Sequence, residues 1–185
     1  MKVTITELPG VLIIEPRTIG DGRGYFGETF RVDKYETLGV DETFVQDNVS
    51  VSGRGVLRGL HFQHPHAQAK LVYTLRGEVF DVVVDVRADS KTFGAVVTTN
   101  LSDQNHRQVF VPAGFAHGFL VTSEDAVVVY KCSDYYSPQT EQRVHWNDPD
   151  IAIRWPIANP VLSPKDAVAP LLRDIPPEQL PHIIV

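Results

Sequence analysis

The sequence predicts an all-β fold, an antiparallel sandwich or barrel that closes into a roll, with short helices at its periphery. Three observations carry this expectation. From Leu57 to Tyr130, short β-branched runs are separated by Gly, Pro, Asn and Asp, the spacing of strands joined by turns. Helical periodicity is nearly absent over the same stretch. The most regular run, Val79 to Arg87, alternates. It sets Asp81, Val83, Asp85 and Arg87 on one face and Phe80, Val82, Val84 and Val86 on the other, so one face packs on apolar side chains and the other is polar.

Taken in chain order, residues 1–50 read as a strand-rich arm. Within it Asp33-Lys34-Tyr35-Glu36 has the form of a capping box opening a short helix that stops at Gly39. Residues 51–148 form the expected barrel core. Gln108 to Val111 and Ala126 to Lys131 read as further strands, with a tight Pro112-Ala113-Gly114 turn after the first. The segment 149–185 is rich in proline and is expected to wrap the barrel as loops and helical turns. With 185 residues, 43% of them hydrophobic, and no shift in composition along the chain, a single domain over 1–185 is expected.

The charges narrow the function. A net charge of -6 from interspersed acids and bases leaves no basic run to neutralise a nucleic-acid polymer. The N-terminus, Met1 to Glu7, breaks its apolar pattern too soon for a signal sequence, and no apolar run reaches membrane-spanning length. A soluble cytoplasmic protein with no membrane partner is expected. Cys132 is the only cysteine, so no intrachain disulfide or thiolate zinc cluster can form, and it reads as a small buried residue.

Two segments have cupin-like spacing: His64-Pro65-His66-Ala67-Gln68-Ala69-Lys70 followed by Gly77, and Pro112-Ala113-Gly114-Phe115-Ala116-His117. In a metal-binding version the position of Lys70 would hold an acid. An ammonium has no lone pair to donate and repels a cation. His61, His64 and His66 still allow a metal site; the competing reading is that His64 and His66 are solvated loop residues around a proline. Lys70 and His117 remain as candidates to line the barrel mouth, where positive charge suits an anionic substrate or an enolate.

At Leu57-Arg58-Gly59-Leu60-His61-Phe62-Gln63 the sequence resembles the dTDP-4-dehydrorhamnose 3,5-epimerase family. The match continues through Asp21 to Glu28, Gln46 to Ser50, Lys70, Gly77 to Val82, Asp85-Val86-Arg87, Ser90 to Gly94 and Pro112 to Phe119. It ends with Tyr130-Lys131-Cys132, Tyr136, Asn147-Asp148-Pro149 and Leu162 to Asp166. The resemblance implies a cupin-type jelly-roll β-barrel, a homodimer, no metal and no organic cofactor. It implies as substrate a dTDP-linked 4-keto-6-deoxyhexose, and as reaction the inversion of C3 and C5 of dTDP-4-dehydro-6-deoxy-D-glucose to dTDP-4-dehydro-L-rhamnose.

Both carbons flank the C4 ketone, so loss of either proton gives an enolate, and inversion requires a base on one ring face and an acid on the other. By resemblance His61 is the base, Tyr130 the acid, Asp166 the carboxylate paired with the histidine, and Lys70 the cation that stabilises the enolate. Arg58 and His117 would position the sugar. Gln46, Asn48 and Glu141 would hold the nucleotide sugar, Arg23 and Lys165 the phosphates, and Tyr136 would stack on thymine. Arg23, Phe26 and Glu28 are implied to enter the neighbouring subunit's pocket.

Each assignment has a structural competitor. Ser163-Pro164-Lys165-Asp166 also reads as a helix start, with Asp166 only a capping acid. Tyr130 can be a half-buried strand tyrosine, His61 a rim histidine between a Gly-Leu turn and a strand, and Lys70 a snorkelling lysine. Asp81, Asp85 and Arg87 read as a structural charge cluster. The rival functions are an epimerase acting at one carbon, a metal-dependent cupin enzyme, and a non-catalytic sugar-nucleotide binding module.

Overall fold

The computed structural model describes residues 1–183. Its strands are β1 (Lys2–Ile5), β2 (Leu12–Glu15), β3 (Thr18–Asp21), β4 (Gly24–Gly27), β5 (Gln46–Gly53), β6 (Leu57–Gln63) and β7 (Lys70–Arg76). They continue with β8 (Glu78–Asp85), β9 (Val96–Ser102), β10 (Gln108–Val111), β11 (Phe115–Val121), β12 (Asp125–Cys132) and β13 (Glu141–Arg143). Two short helices, α1 (Val32–Glu36) and α2 (Pro164–Ala167), flank them. A six-stranded sheet has the order β1-β2-β10-β7-β12-β5, a five-stranded sheet the order β13-β6-β11-β8-β9, and β3 and β4 form a separate hairpin.

The alternation of the strands explains why the two sheets face each other. Val72, Val109 and Val128 of the larger sheet meet Val79, Val83 and Phe119 of the smaller in one core, each fully buried apolar side chain contributing about 1.5–3 kcal/mol. The opposite face of the smaller sheet, through Leu60, Phe62, Val82 and Val84, is covered by Ile151, Ile153, Leu172, Ile175 and Leu180. That is the expected wrap after Pro149; positions 184 and 185 lie outside the described residues. Tyr35 of α1 packs on Leu12, Ile14, Leu71 and Phe110 on the outside of the larger sheet, its hydroxyl donating to Gln108 Oε1 at 2.7 Å. Among the described residues no helix is long and apolar enough to cross a membrane.

Two expectations need correction. Asp33 does not cap α1: the N-cap is Arg31, without a side-chain cap bond, and Arg31 Nε takes the Asp33 carboxylate at 2.6 Å, so that acceptor is no longer free for the backbone. The stop at Gly39 does occur, with φ of 92°, Gly39 N donating to Glu36 O and Val40 N to Tyr35 O. Within residues 1–50, β1 and β2 extend the larger sheet, with β2 between β1 and β10, and β5 runs across residue 51. The polar face of β8 is buried, Asp81 being 1% and Asp85 0% exposed. His61 lies inside β6 rather than after a turn.

The charge cluster also divides. Asp85 binds Arg87 at 2.7 Å and the hydroxyls of Ser90 and Thr92 at 2.6 Å each. Burial pushes its carboxyl pKa up, and these hydrogen bonds outweigh that and hold it below the ordinary value. Asp81 belongs instead to the site described next. Where β6 passes β11, Gly59 has φ of 136°, and a Cβ there would lie 2.6 Å from Gly118 Cα and 3.0 Å from His117 O. Gly59→Ala is therefore expected to cost about 2–4 kcal/mol in chemical denaturation; an unchanged unfolding midpoint would show that the strands are free to separate.

Candidate active site

Between the sheets opens a cavity of about 700 Å³ whose lining includes Gln46, Asn48, Arg58, His61, Lys70, His117, Tyr130, Tyr136, Glu141 and Asp166. The strand registers bring these together from distant parts of the chain. His61 of β6 is the direct partner of His117 of β11. Tyr130 of β12 faces Asn48 of β5 and Cys132 faces Gln46, while Cys132 is also paired with Lys70 of β7.

His61 Nε2 lies 2.6 Å from Asp166 Oδ1. Burial raises the Asp166 pKa, but the bond and charge of His61, the Ser163 hydroxyl and Arg143 outweigh it and hold the carboxyl below its ordinary range. An ionised carboxylate can only accept, so His61 Nε2 carries the proton in this contact. The same residues also cap α2: Ser163 is the N-cap and accepts from Asp166 N, while the Asp166 side chain reaches His61.

Lys70 and Tyr130 have pKa values moved in opposite directions for one cause. Burial pushes the Lys70 ammonium down, against the pull of Cys132, Glu141 and Asp81. Burial pushes the Tyr130 phenol up, opposed by Arg58, so the phenol holds its proton. Arg58 Nε donates to Ser52 Oγ at 3.0 Å. His117 Nε2 meets Asp81 Oδ2 at 2.9 Å. Toward the opening, Gln46 Nε2 donates to Asn48 Oδ1 at 3.0 Å, Tyr136 N donates to Gln46 Oε1 at 2.9 Å, and Tyr136 OH donates to Glu141 Oε2 at 3.3 Å.

A family model described as dTDP-4-dehydrorhamnose 3,5-epimerase matches residues 5–174. The chain belongs to that family. A dTDP-4-dehydrorhamnose 3,5-epimerase from Salmonella typhimurium is 53% identical over 175 residues, which cover 93% of this chain and 96% of the relative. One from Neisseria gonorrhoeae is 53% identical over 167 residues, 90% of this chain, which spans only 51% of that relative's length. Among solved structures, a dTDP-6-deoxy-D-glucose-3,5-epimerase from Legionella pneumophila in complex with dTDP-4-keto-L-rhamnose is 50% identical, covers 100% of this chain and 99% of its own, and superposes with a TM-score of 0.96. A 3'-monoepimerase from Streptomyces bikiniensis in complex with dTDP-quinovose is 38% identical over 96% of this chain and 91% of its own, with a TM-score of 0.89.

Not every residue expected from the epimerase family meets this cavity. Lys165 is exposed on α2 and is not part of the lining. Arg23, Phe26 and Glu28 lie away from it: the Arg23 side chain is 91% exposed and paired with Asp21, Phe26 is 74% exposed, and Glu28 binds Lys34 Nζ at 2.6 Å. His64 and His66 fall in the loop between β6 and β7 outside the lining, with the His66 ring 3.7 Å from Asp134. Among the described residues no group of three or more His, Cys, Asp or Glu is placed to hold a metal ion.

Three neighbours of the site leave little or no trace in the sequence. Asp81 shares a strand face with Asp85, and its place on the inward face of that strand is its one signal. Ser52 and Arg143 had none, because each is defined only by the strand it ends up beside.

A lysine whose folded pKa lies below its unfolded value destabilises the fold wherever it is charged in both states, and the penalty vanishes as pH rises toward about 10.4. Lys70→Met is thus expected to raise the urea midpoint at neutral pH, with the gain shrinking in alkaline solution. A lower midpoint for the variant at neutral pH would mean that the charge pairs around Lys70 outweigh its desolvation.

Proposed function

We propose that this chain is an isomerase that inverts C3 and C5 of dTDP-4-dehydro-6-deoxy-D-glucose, giving dTDP-4-dehydro-L-rhamnose in dTDP-L-rhamnose biosynthesis. The observation that carries the reading is the 2.6 Å contact of His61 with an ionised Asp166 in one cavity with Lys70 and a protonated Tyr130. The identity to 3,5-epimerases, and the likeness to one of known structure with dTDP-4-keto-L-rhamnose, support the substrate class.

In this reading His61 Nδ1 removes the proton from C3 or C5, and the electron pair of the broken C–H bond moves to the C4 oxygen as an enolate. Asp166 stabilises the imidazolium that results. The ammonium of Lys70 stabilises the enolate, a charge absent from the ketone, so its effect falls on the transition state more than on bound substrate. The Tyr130 hydroxyl then protonates the carbon on the opposite face. His61 gains one proton and Tyr130 loses one, and exchange with solvent resets both.

Arg58 and His117 position the sugar, Gln46, Asn48 and Glu141 hold the nucleotide sugar, Lys165 takes phosphate and Tyr136 stacks on thymine. The fold is read as a single-domain cupin-type jelly roll, the protein as cytoplasmic, and the working unit as a homodimer. Support for the dimer comes from the β3–β4 hairpin, which leaves Ile19, Tyr25 and Phe26 exposed. Such an apolar tip fits an arm that carries Arg23, Phe26 and Glu28 to a partner's cavity.

A second reading, inversion at one carbon, is favoured by the 43% identity to a dTDP-4-dehydrorhamnose 3-epimerase from Streptomyces niveus. Incubation with the 4-keto-6-deoxy sugar nucleotide in deuterated water, followed by NMR, separates the two. Label at both C3 and C5 is expected; label at one carbon supports the single-site enzyme, and none rejects both. His61→Ala and Tyr130→Phe are each expected to lower turnover about a thousandfold with nucleotide affinity nearly intact. Unchanged turnover in both would reject the assigned base and acid.

A further inference from the structure

Arg143 ends β13 directly opposite His61 in the β13–β6 register. Strand alternation sets Arg143 and Glu141 on the same face, where the two side chains form an ion pair. Arg143 Nε lies 3.5 Å from Asp166 Oδ1, the oxygen that His61 Nε2 meets at 2.6 Å. Glu141 in turn accepts from the Tyr136 hydroxyl. One guanidinium therefore stands between two carboxylates, and contacts run continuously from Tyr136 through Glu141, Arg143 and Asp166 to His61, all of them in the cavity lining.

The chemistry of the group suits this place. A guanidinium is a planar fork that can hold carboxylates on two sides in fixed geometry, which a lysine ammonium on a flexible stem does not. Arg143 Nε is buried with no hydrogen-bond partner among the described residues, so a donor is left over at the edge that meets Asp166. Two carboxylates facing one cavity repel each other and any anionic ligand unless a cation separates them. Arg143 is that cation for Glu141 and Asp166.

We propose that Arg143 is a positioning residue for the base: by tying Asp166 to Glu141 it fixes which carboxylate oxygen meets His61, and it links the orientation of the imidazole to the Tyr136 end of the cavity. The inference rests on His61 acting as the base. Its consequence is that Arg143 acts on the chemical step through Asp166 and not on the nucleotide directly.

The test is a double-mutant cycle with Arg143→Met and Asp166→Asn, read by the rate of deuterium entry at the sugar ring and by dTDP affinity in calorimetry. In the otherwise native chain Arg143→Met is expected to slow exchange about tenfold with dTDP affinity changed less than about threefold. In the Asp166→Asn background the same substitution is expected to cost less than about twofold, because its target is gone. Arg143→Lys is expected to recover only part of the loss. An equal loss in both backgrounds, or dTDP affinity falling in step with the rate, overturns the proposal and puts Arg143 on the diphosphate. A readout that needs no substrate keeps the two claims separate. The His61 Nε2 proton is expected as a low-field NMR signal that shifts in Arg143→Met and returns toward its native position in Arg143→Lys. A signal that does not move in Arg143→Met overturns the positioning role whatever sugar the enzyme accepts.

Discussion

The hydrogen bond between His61 and Asp166 joins side chains 105 residues apart, and much of the surrounding structure serves to hold its two ends. His61 is fixed by β6, paired on one side with β11 and on the other with β13. Asp166 is carried to it by a clamp on the preceding segment. Val161 N donates to Gly55 O at 2.7 Å and Leu57 N to Val161 O at 3.0 Å, which lays residue 161 alongside the start of β6. Ser163 then caps α2, and the one-turn helix that follows turns Asp166 inward. A bond this short between an imidazole and a carboxylate sets tautomer and ring orientation together.

The interior between the two sheets is where charge is expensive, and the cavity is organised around that fact. Arg58, Lys70 and Arg143 share it with Glu141 and Asp166, and Asp81 pairs with His117 on β11. Arg58 has the Ser52 hydroxyl and Arg143 the carboxylates of Glu141 and Asp166, so that neither is buried alone. The same burial that lowers the pKa of Lys70 raises that of Tyr130. Burial thus sharpens the contrast between a group that attracts negative charge and one that holds its proton.

Much of the architecture was legible because strand alternation leaves a trace in the sequence. Val79 to Asp85, Gln108 to Val111 and Ala126 to Lys131 all lie in strands, Val86 and Arg87 falling just past the end of β8, and the proline-rich end does cover one sheet. The reading was wrong where two local signals compete. Asp33 had the spacing of a cap, but a neighbouring Arg31 took its carboxylate. Asp81 and Asp85 share one strand face, yet one binds Arg87 and the other His117, because the register of β11 brings an imidazole to only one of them.

By itself the sequence determined the all-β class, the family, and the identity of His61, Lys70, Tyr130 and Asp166 as candidates, since these depend on periodicity and on ordered motifs within short stretches. The tertiary structure alone decided that Asp166 faces His61 rather than the end of its own helix, that Asp81 serves His117, and that Arg143 lies between Glu141 and Asp166. These are relations between side chains on strands whose register is fixed by burial across the whole sheet. No local pattern carries that information, because a one-residue slip in pairing would have turned each of them to the other face.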